Sequence, residues 1–402
     1  MASAERFDLA VVGAGPAGTA AAITARDRGL DVVVLDKATF PRDKTCGDGL
    51  TTGALRLLEG LGLRLAALPA YTSVRETVLV SPSGREVVLP LPDGGQYAGV
   101  VPRAELDTAL VRLAQAHGAE VREGAAVAGV AVHTGEVEIE LAGGAALSAR
   151  FVVAADGHFS SVRRRLRPDA PADLGTWHAF RQYYRGVADR RLWVLFEPDL
   201  LPGYAWVFPL PDGRANVGFG VPRGPGVDGK RLKATWHELL GRDRVRAVLG
   251  PHAEPEGAHR AWPIPARVDA SRLAAGRVLY AGDAAAVVDP MTGEGIAQAL
   301  ETGIAAARAI AHGGDPDAVA ARYRRAVDGA LGADLRFAAA LQRVLSSRWG
   351  ARAALRAVDL SGWTRRNFAR WMYEDYPRAL LLTPRRWRRG VFSAPGAYLR
   401  AA

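Results

Sequence analysis

Residues 7–18, FDLAVVGAGPAG, constrain the chain more than any other stretch. FDLAVV reads as a short buried strand, and Gly13, Gly15 and Gly18 follow it as G-x-G-x-x-G. TAAAITARDRG then reads as a helix ending at a glycine, and DVVVLD as a second buried strand. Together they make a βαβ unit of about 30 residues. Gly13 permits the tight turn, Gly15 lets the backbone approach a pyrophosphate, and Gly18 lets helix and strand pack closely. Ala14, Pro16 and Ala17 lie between them, and the N-terminus of the helix that follows presents free N–H groups and a positive dipole end to a phosphate. Asp36 ends the second strand 18 residues after Gly18, where a carboxylate can accept hydrogen bonds from ribose hydroxyls. A dinucleotide site is therefore expected at this end of the chain.

At 402 residues the chain has length for two or three domains of ~100–200 residues. Later segments repeat the α/β pattern. RAELDTALVRLAQAHG reads as a helix, ARFVVAADG as a buried strand with a turn, AGRVLYAGDAA as a late strand, and GEGIAQALETGIAAARAIA as a long helix. Between them lie strand-like stretches, among them RETVLVSPSGREVVLPL and a run from about Phe180 to Pro265 in which PLPDGRANVGFG reads as a hairpin. The expected fold is α/β: a Rossmann-like nucleotide-binding domain from discontinuous segments (1–70, 98–175 and 272–315), a β-rich substrate domain (71–97 and 176–271), and a basic helical region (316–402).

One cysteine rules out an internal disulfide, no signal-peptide pattern opens the chain, and no apolar run reaches the ~18 residues of a spanning helix. A cytoplasmic protein is expected. The net charge of +10 lies wholly in the last 60 residues, where thirteen arginines meet three acids. Four of the nine tryptophans, Trp349, Trp363, Trp371 and Trp387, lie there too. Arginine with tryptophan suits peripheral contact with an anionic membrane. The plainer reading is a solvated helical surface with the tryptophans packed inward, and nucleic acid is the least favoured of the three. The eight histidines are scattered without metal-ligand spacing, so no metal is expected.

Two further motifs place acids at strand ends: AADGHFSSVRRRL, with Asp156-Gly157, and GRVLYAGDAAAVVDPMTGEGIAQAL, with Gly282-Asp283. In the latter the glycines of PMTGEGI precede a long helix, whose N-terminus stabilises negative charge. Here the chain resembles FAD-dependent oxidoreductases of the aromatic-hydroxylase type. The resemblance implies that Asp283 binds the ribityl chain, that the Asp156 turn supports the site, and that Arg103, in VPRAELDTALV, lies near the flavin and its phosphates. It carries Lys37, Val127 and the loop residues Pro290, Gly293, Glu294, Gly295 and Ile296 into the cofactor set.

FPRDKTCGDGL (40–50) and PGYAWVFPLPDGRANVGFG (202–220) narrow the match. The Cys46-Gly47 pair and the Y-x-W-x-F-P segment resemble the geranylgeranyl reductase family, whose members saturate isolated double bonds of isoprenoid chains. The related halogenases carry W-x-W-x-I-P, whereas here Tyr204 comes first and Phe208 stands where isoleucine would. The resemblance implies that Tyr204, Trp206 and Phe208 line a prenyl cavity and that Cys46 and Gly47 face the flavin. Cys46 would tune the flavin, shape the cavity or supply a proton. It also implies hydride transfer from reduced FAD to a prenyl chain on a lipid, quinone or diphosphate. With one glycine triplet and no second nucleotide domain, electrons would come from transiently bound NAD(P)H or a ferredoxin-like carrier protein. The alternatives are an FAD-dependent monooxygenase or halogenase acting on a hydrophobic natural product, and a non-catalytic prenyl-lipid-binding protein.

Overall fold

The structure, a computed structural model, describes residues 5–167, 175–224, 229–266, 273–387 and 396–397. Among these residues the strands form sheets of eight, seven and three. In the eight-stranded sheet, Glu5–Val12 lies between Val32–Leu35 and Ala146–Ala154, parallel to both. Glu120–Arg122 extends one side and Val278–Tyr280 the other, again in parallel. All four residues of Val32–Leu35 are buried, which is why that strand reads as a continuous apolar run. An antiparallel hairpin, Val127–Val132 and Val137–Leu141, joins Ala146–Ala154.

Helices Pro16–Arg26 and Ile296–Ala311 pack together on this sheet. Their approach depends on Gly303, where a Cβ would lie 2.1 Å from the Ala17 carbonyl oxygen. The four parallel strands Glu5–Val12, Val32–Leu35, Ala146–Ala154 and Val278–Tyr280 thus deliver Gly13, Asp36, Asp156 and Gly282-Asp283 just beyond their carboxyl ends, the edge at which open α/β sheets bind ligands.

The seven-stranded sheet runs Glu254–Ile264, Trp177–Arg185, Ala215–Pro222, Tyr204–Pro209, Leu192–Leu195, Glu76–Val80, Glu86–Pro90. The hairpin expected at PLPDGRANVGFG forms, with Tyr204–Pro209 and Ala215–Pro222 antiparallel. The stretch from 180 to 265 is not strand throughout. Helices Gly229–Leu240 and Asp243–Leu249 interrupt it. Leu232, Thr235, Trp236 and Leu239 are buried at helical spacing, and they cover one face of the sheet.

The region after 315 is helical: Pro316–Val327, Ala333–Leu345, Arg348–Val358 and Gly362–Met372. Leu355, Val358, Ala369 and Tyr373 pack against Leu79, Leu192, Val194, Trp206 and Phe208 on the other face of the seven-stranded sheet. Much of the expected basic end, 388–395 and 398–402, lies outside the described residues. Among the described residues no helix is long and apolar enough to cross a membrane, and no cluster of three or more His, Cys, Asp or Glu is arranged to hold a metal ion.

Candidate active site

A cavity of about 530 Å³ lies beyond the ends of the four parallel strands. At its glycine-loop end, a Cβ on Gly13 (φ +102°) would meet the Ala155 carbonyl oxygen at 2.4 Å, and one on Gly18 would meet that of Gly13 at 1.8 Å. Gly15 is different. The nearest atoms to its Cβ position are the Nη2 atoms of Arg42 and Arg103, each 3.7 Å away. Asp107, fully buried, holds both guanidinium groups, with Arg103 Nε and Nη2 donating at 2.8 and 2.9 Å and Arg42 Nη1 at 3.1 Å. Burial works against the Arg103 charge, but the Asp107 carboxylate outweighs it and raises the pKa. The helix N-terminus and two fixed cations therefore face one open space, a donor set suited to a pyrophosphate.

Asp36 accepts the Ala14 N–H at 2.7 Å through Oδ2 and the Ala38 N–H at 2.8 Å through Oδ1. Each oxygen keeps acceptor capacity for a further donor. Pro16, Ala17, Lys37 and Val127 line the cavity with it. Asp156 caps the next helix by accepting the Ser161 and Val162 N–H groups through Oδ2, while its buried Oδ1 has no partner among the described residues. Ala14, Gly18 and Pro290 stand outside the lining: Ala14 acts through its N–H, Gly18 through packing, and Pro290 is buried.

The loop 41–50 crosses the cavity and rests on the aromatic strand. A Cβ on Gly47 would lie 3.4 Å from Phe208 Cε2 and 3.6 Å from Trp206 Cε2. Asn216 ties the two together. Its Nδ2 donates to the Cys46 carbonyl and to Asp48 Oδ2, both at 2.8 Å, and its Oδ1 accepts Trp206 Nε1–H at 3.0 Å. Tyr183 also donates to Asp48 Oδ2, at 2.7 Å. Burial nevertheless dominates and pushes Asp48 up to about 6. Burial likewise pushes the Cys46 thiol up to about 11, against the pull of the Arg103 charge, so the thiol is protonated at neutral pH. Lys44 sits over the Trp262 ring, 3.7 Å from its centroid, and burial lowers it to about 8.

At the opposite wall, Gly282, Asp283, Gly293, Glu294, Gly295 and Ile296 line the cavity at the start of helix Ile296–Ala311. Tyr204 hydroxyl donates to the Thr292 carbonyl. Beyond Tyr204, Phe208 and Glu294 lies a second, apolar cavity of about 130 Å³. Leu79, Leu192 and Val194 of the sheet, and Leu345, Leu355, Phe368 and Met372 of the C-terminal helices, enclose it. The two cavities share Gly49, Tyr204, Phe208, Thr292 and Glu294. Burial and the neighbouring Glu374 carboxylate push Glu294 up to about 8.

Arg42, Lys44, Asp48, Tyr183 and Trp262 also belong to this region and carry no sequence signal as strong as the glycine triplet. Three of them occupy the same ten-residue loop as Cys46, and the density of charge around a cysteine-glycine pair was the available sign.

The four strand ends, the phosphate cradle and the helix start at 296 define a flavoprotein of the dinucleotide-binding class. Residues 6–324 match the family described as FAD binding domain. The chain is 37% identical over 321 residues to menaquinone reductase from Mycobacterium tuberculosis, covering 75% of this chain and 76% of that one. It is 33% identical over 309 residues to digeranylgeranylglycerophospholipid reductase 1 of Methanopyrus kandleri, covering 74% and 78%. A solved geranylgeranyl bacteriochlorophyll reductase-like protein from Thermoplasma acidophilum superposes with a TM-score of 0.80 at 22% identity, over 95% of this chain and all of that one. The chain belongs to the geranylgeranyl reductase family of FAD-dependent oxidoreductases. The residues present fit FAD: the bare face of Gly15 between two arginines offers room and charge for its phosphates, and the unpartnered Asp156 Oδ1 is a buried acceptor awaiting a donor.

Proposed function

We propose that the protein saturates isolated C=C bonds in the prenyl chain of a membrane-borne isoprenoid, an isoprenoid quinone in the first instance. The observation that carries this reading is the apolar cavity adjoining the FAD-site cavity across Tyr204, Phe208 and Glu294. An extended hydrocarbon needs a dry, apolar channel beside the redox centre. The similarity to menaquinone reductases favours the quinone.

In this reading the eight-stranded sheet serves the cofactor and the seven-stranded sheet the substrate. The Gly13–Gly18 loop with Arg42 and Arg103 would hold the FAD phosphates, Asp36 the ribose and Asp283 the ribityl chain. FAD supplies the hydride chemistry when reduced and bound. The protein holds the alkene in register and keeps water out. Trp206 and Phe208 are buried and fixed, the former through Asn216, so the wall they form is rigid before substrate arrives. The start of helix Ile296–Ala311 points N–H groups into the cavity, where they favour negative charge. Electrons come from outside the chain, from transiently bound NAD(P)H or a ferredoxin-like carrier, and the substrate is collected at a membrane surface through the basic C-terminal helices.

The test is turnover of reduced protein with menaquinone and with digeranylgeranyl lipid, with and without O₂, read by mass spectrometry. The expected product is two mass units heavier per bond and forms anaerobically. A product that forms only with O₂ and gains oxygen or halogen would identify a monooxygenase or halogenase instead.

A further inference from the structure

Reduction of an isolated alkene needs a proton as well as a hydride, and the site contains several acids. Their positions separate them. Asp36, Asp43, Cys46, Asp48, Asp156 and Asp283 line only the larger cavity. Tyr204 and Glu294 line both it and the apolar cavity, and the Tyr204 hydroxyl is committed to the Thr292 carbonyl. Glu294 Oε1 lies 3.6 Å from the Cβ position of Gly49, beside Phe208, at the junction of the two spaces.

The one guanidinium near Glu294 is already shared by two other carboxylates. Arg378 is buried and pairs with Asp289 at 3.2 Å and Glu374 at 3.3 Å. Glu374 also accepts Thr51 Oγ1–H at 2.8 Å and Gln298 Nε2–H at 3.1 Å. Asp289 accepts the Met291 and Thr292 N–H groups. The Glu294 carboxyl has no hydrogen bond from another described residue. Facing Glu374 and Asp289, with Arg378 shared between those two and Tyr204, Tyr373 and Cys46 nearby, it is the carboxyl that keeps its proton at neutral pH. The Cys46 thiol, at about 11, is a far weaker acid.

We propose that Glu294 is the catalytic acid that protonates the substrate alkene. This rests on the reading of the site as an FAD-dependent alkene reductase. One alkene carbon accepts the hydride supplied by reduced FAD, which is thereby oxidised. The π bond breaks, its electron pair takes the Glu294 proton at the adjacent carbon, and the carboxylate recovers a proton from solvent through the larger cavity.

Two measurements on Glu294→Gln test this. In holoenzyme turnover of menaquinone under anaerobic conditions, kcat is expected to fall about 10²–10⁴-fold. The wild-type decline above about pH 8 should also be absent from the residual rate. In the apoprotein, denaturant unfolding across pH reports the proton directly. A carboxyl raised from 4.5 to about 8 gives stability that is full below 4.5 and lost as pH rises through 8, and Glu294→Gln should remove that loss. Wild-type kcat in the variant, or an unchanged pH dependence of apoprotein stability, overturns the assignment alone. A wild-type protein that reduces no prenyl chain overturns the functional reading, and the assignment with it.

Discussion

Gly15 and Gly18 lie three residues apart in one loop, yet substitution should separate them. A methyl group at Gly18 would sit 1.8 Å from a backbone oxygen, whereas at Gly15 it meets only arginine tips at 3.7 Å. Gly18→Ala should therefore destabilise the apoprotein, by on the order of 1–3 kcal/mol, seen as a lower denaturation midpoint. Gly15→Ala should leave that midpoint in place and weaken FAD binding, read by fluorescence titration. Asp48 gives a pH signature of its own. Its carboxyl is raised from 3.8 to about 6, so its stabilising contribution is full below 3.8 and lost as pH rises through 6. Asp48→Asn should flatten that part of the stability profile, on the order of 3 kcal/mol, in denaturant melts between pH 3.5 and 7. The glycine triplet and Asp36 were legible because their meaning is local: a strand, a turn and a helix within thirty residues. Asp48, Arg42 and Lys44 were not, because their partners, Tyr183, Asn216, Asp107 and Trp262, arrive from distant parts of the chain.

Among the elements, strand Tyr204–Pro209 shows alternation at its clearest. Ala205 and Val207 face the cluster with Trp193, Phe219 and Trp236, while Tyr204, Trp206 and Phe208 face the cavities. The period of two predicted that separation. It did not reveal that the neighbouring strand must yield space: a Cβ on Gly218 would lie 2.3 Å from both Trp206 Cζ2 and the Phe180 carbonyl oxygen. Gly218→Ala should displace the indole, break its bond to Asn216 and press on the backbone of strand Trp177–Arg185, lowering the denaturation midpoint as well. The expected result is a several-fold rise in KM for the prenyl substrate, with FAD affinity changed less. The helices Gly229–Leu240 and Asp243–Leu249 were hidden by the strand signals on either side, although Leu232, Trp236 and Leu239 carry a helical spacing. The carboxyl-terminal helices were legible as helices. Their service as the outer wall of the apolar cavity was not, since it depends on which sheet face they cover.

For the whole molecule, the distribution of exposed apolar groups is uneven. Of nine large hydrophobic side chains exposed among the described residues, seven lie in the C-terminal region: Val344, Trp349, Leu360, Trp363, Leu381, Leu382 and Trp387. Trp371 instead packs against Phe337 and Phe368. Arginines flank the exposed groups, and the same helices enclose the apolar cavity. Flotation with anionic liposomes should therefore succeed at low salt and weaken as salt screens the arginines. Trp349→Ser with Trp363→Ser should reduce the bound fraction several-fold and leave the melting temperature near that of the parent, since these side chains are 79% and 64% exposed. Neutral liposomes binding equally well would argue against the arginines. The alternation of strand Tyr204–Pro209 also bears on inheritance. Side chains that face the cavities and side chains that face helix Gly229–Leu240 sit on opposite faces of one ribbon, and the glycine loop belongs to another sheet altogether. A lineage can thus rewrite what fills the channel, residue by residue, while the cradle for the nucleotide and the interior beneath the strand pass down unaltered.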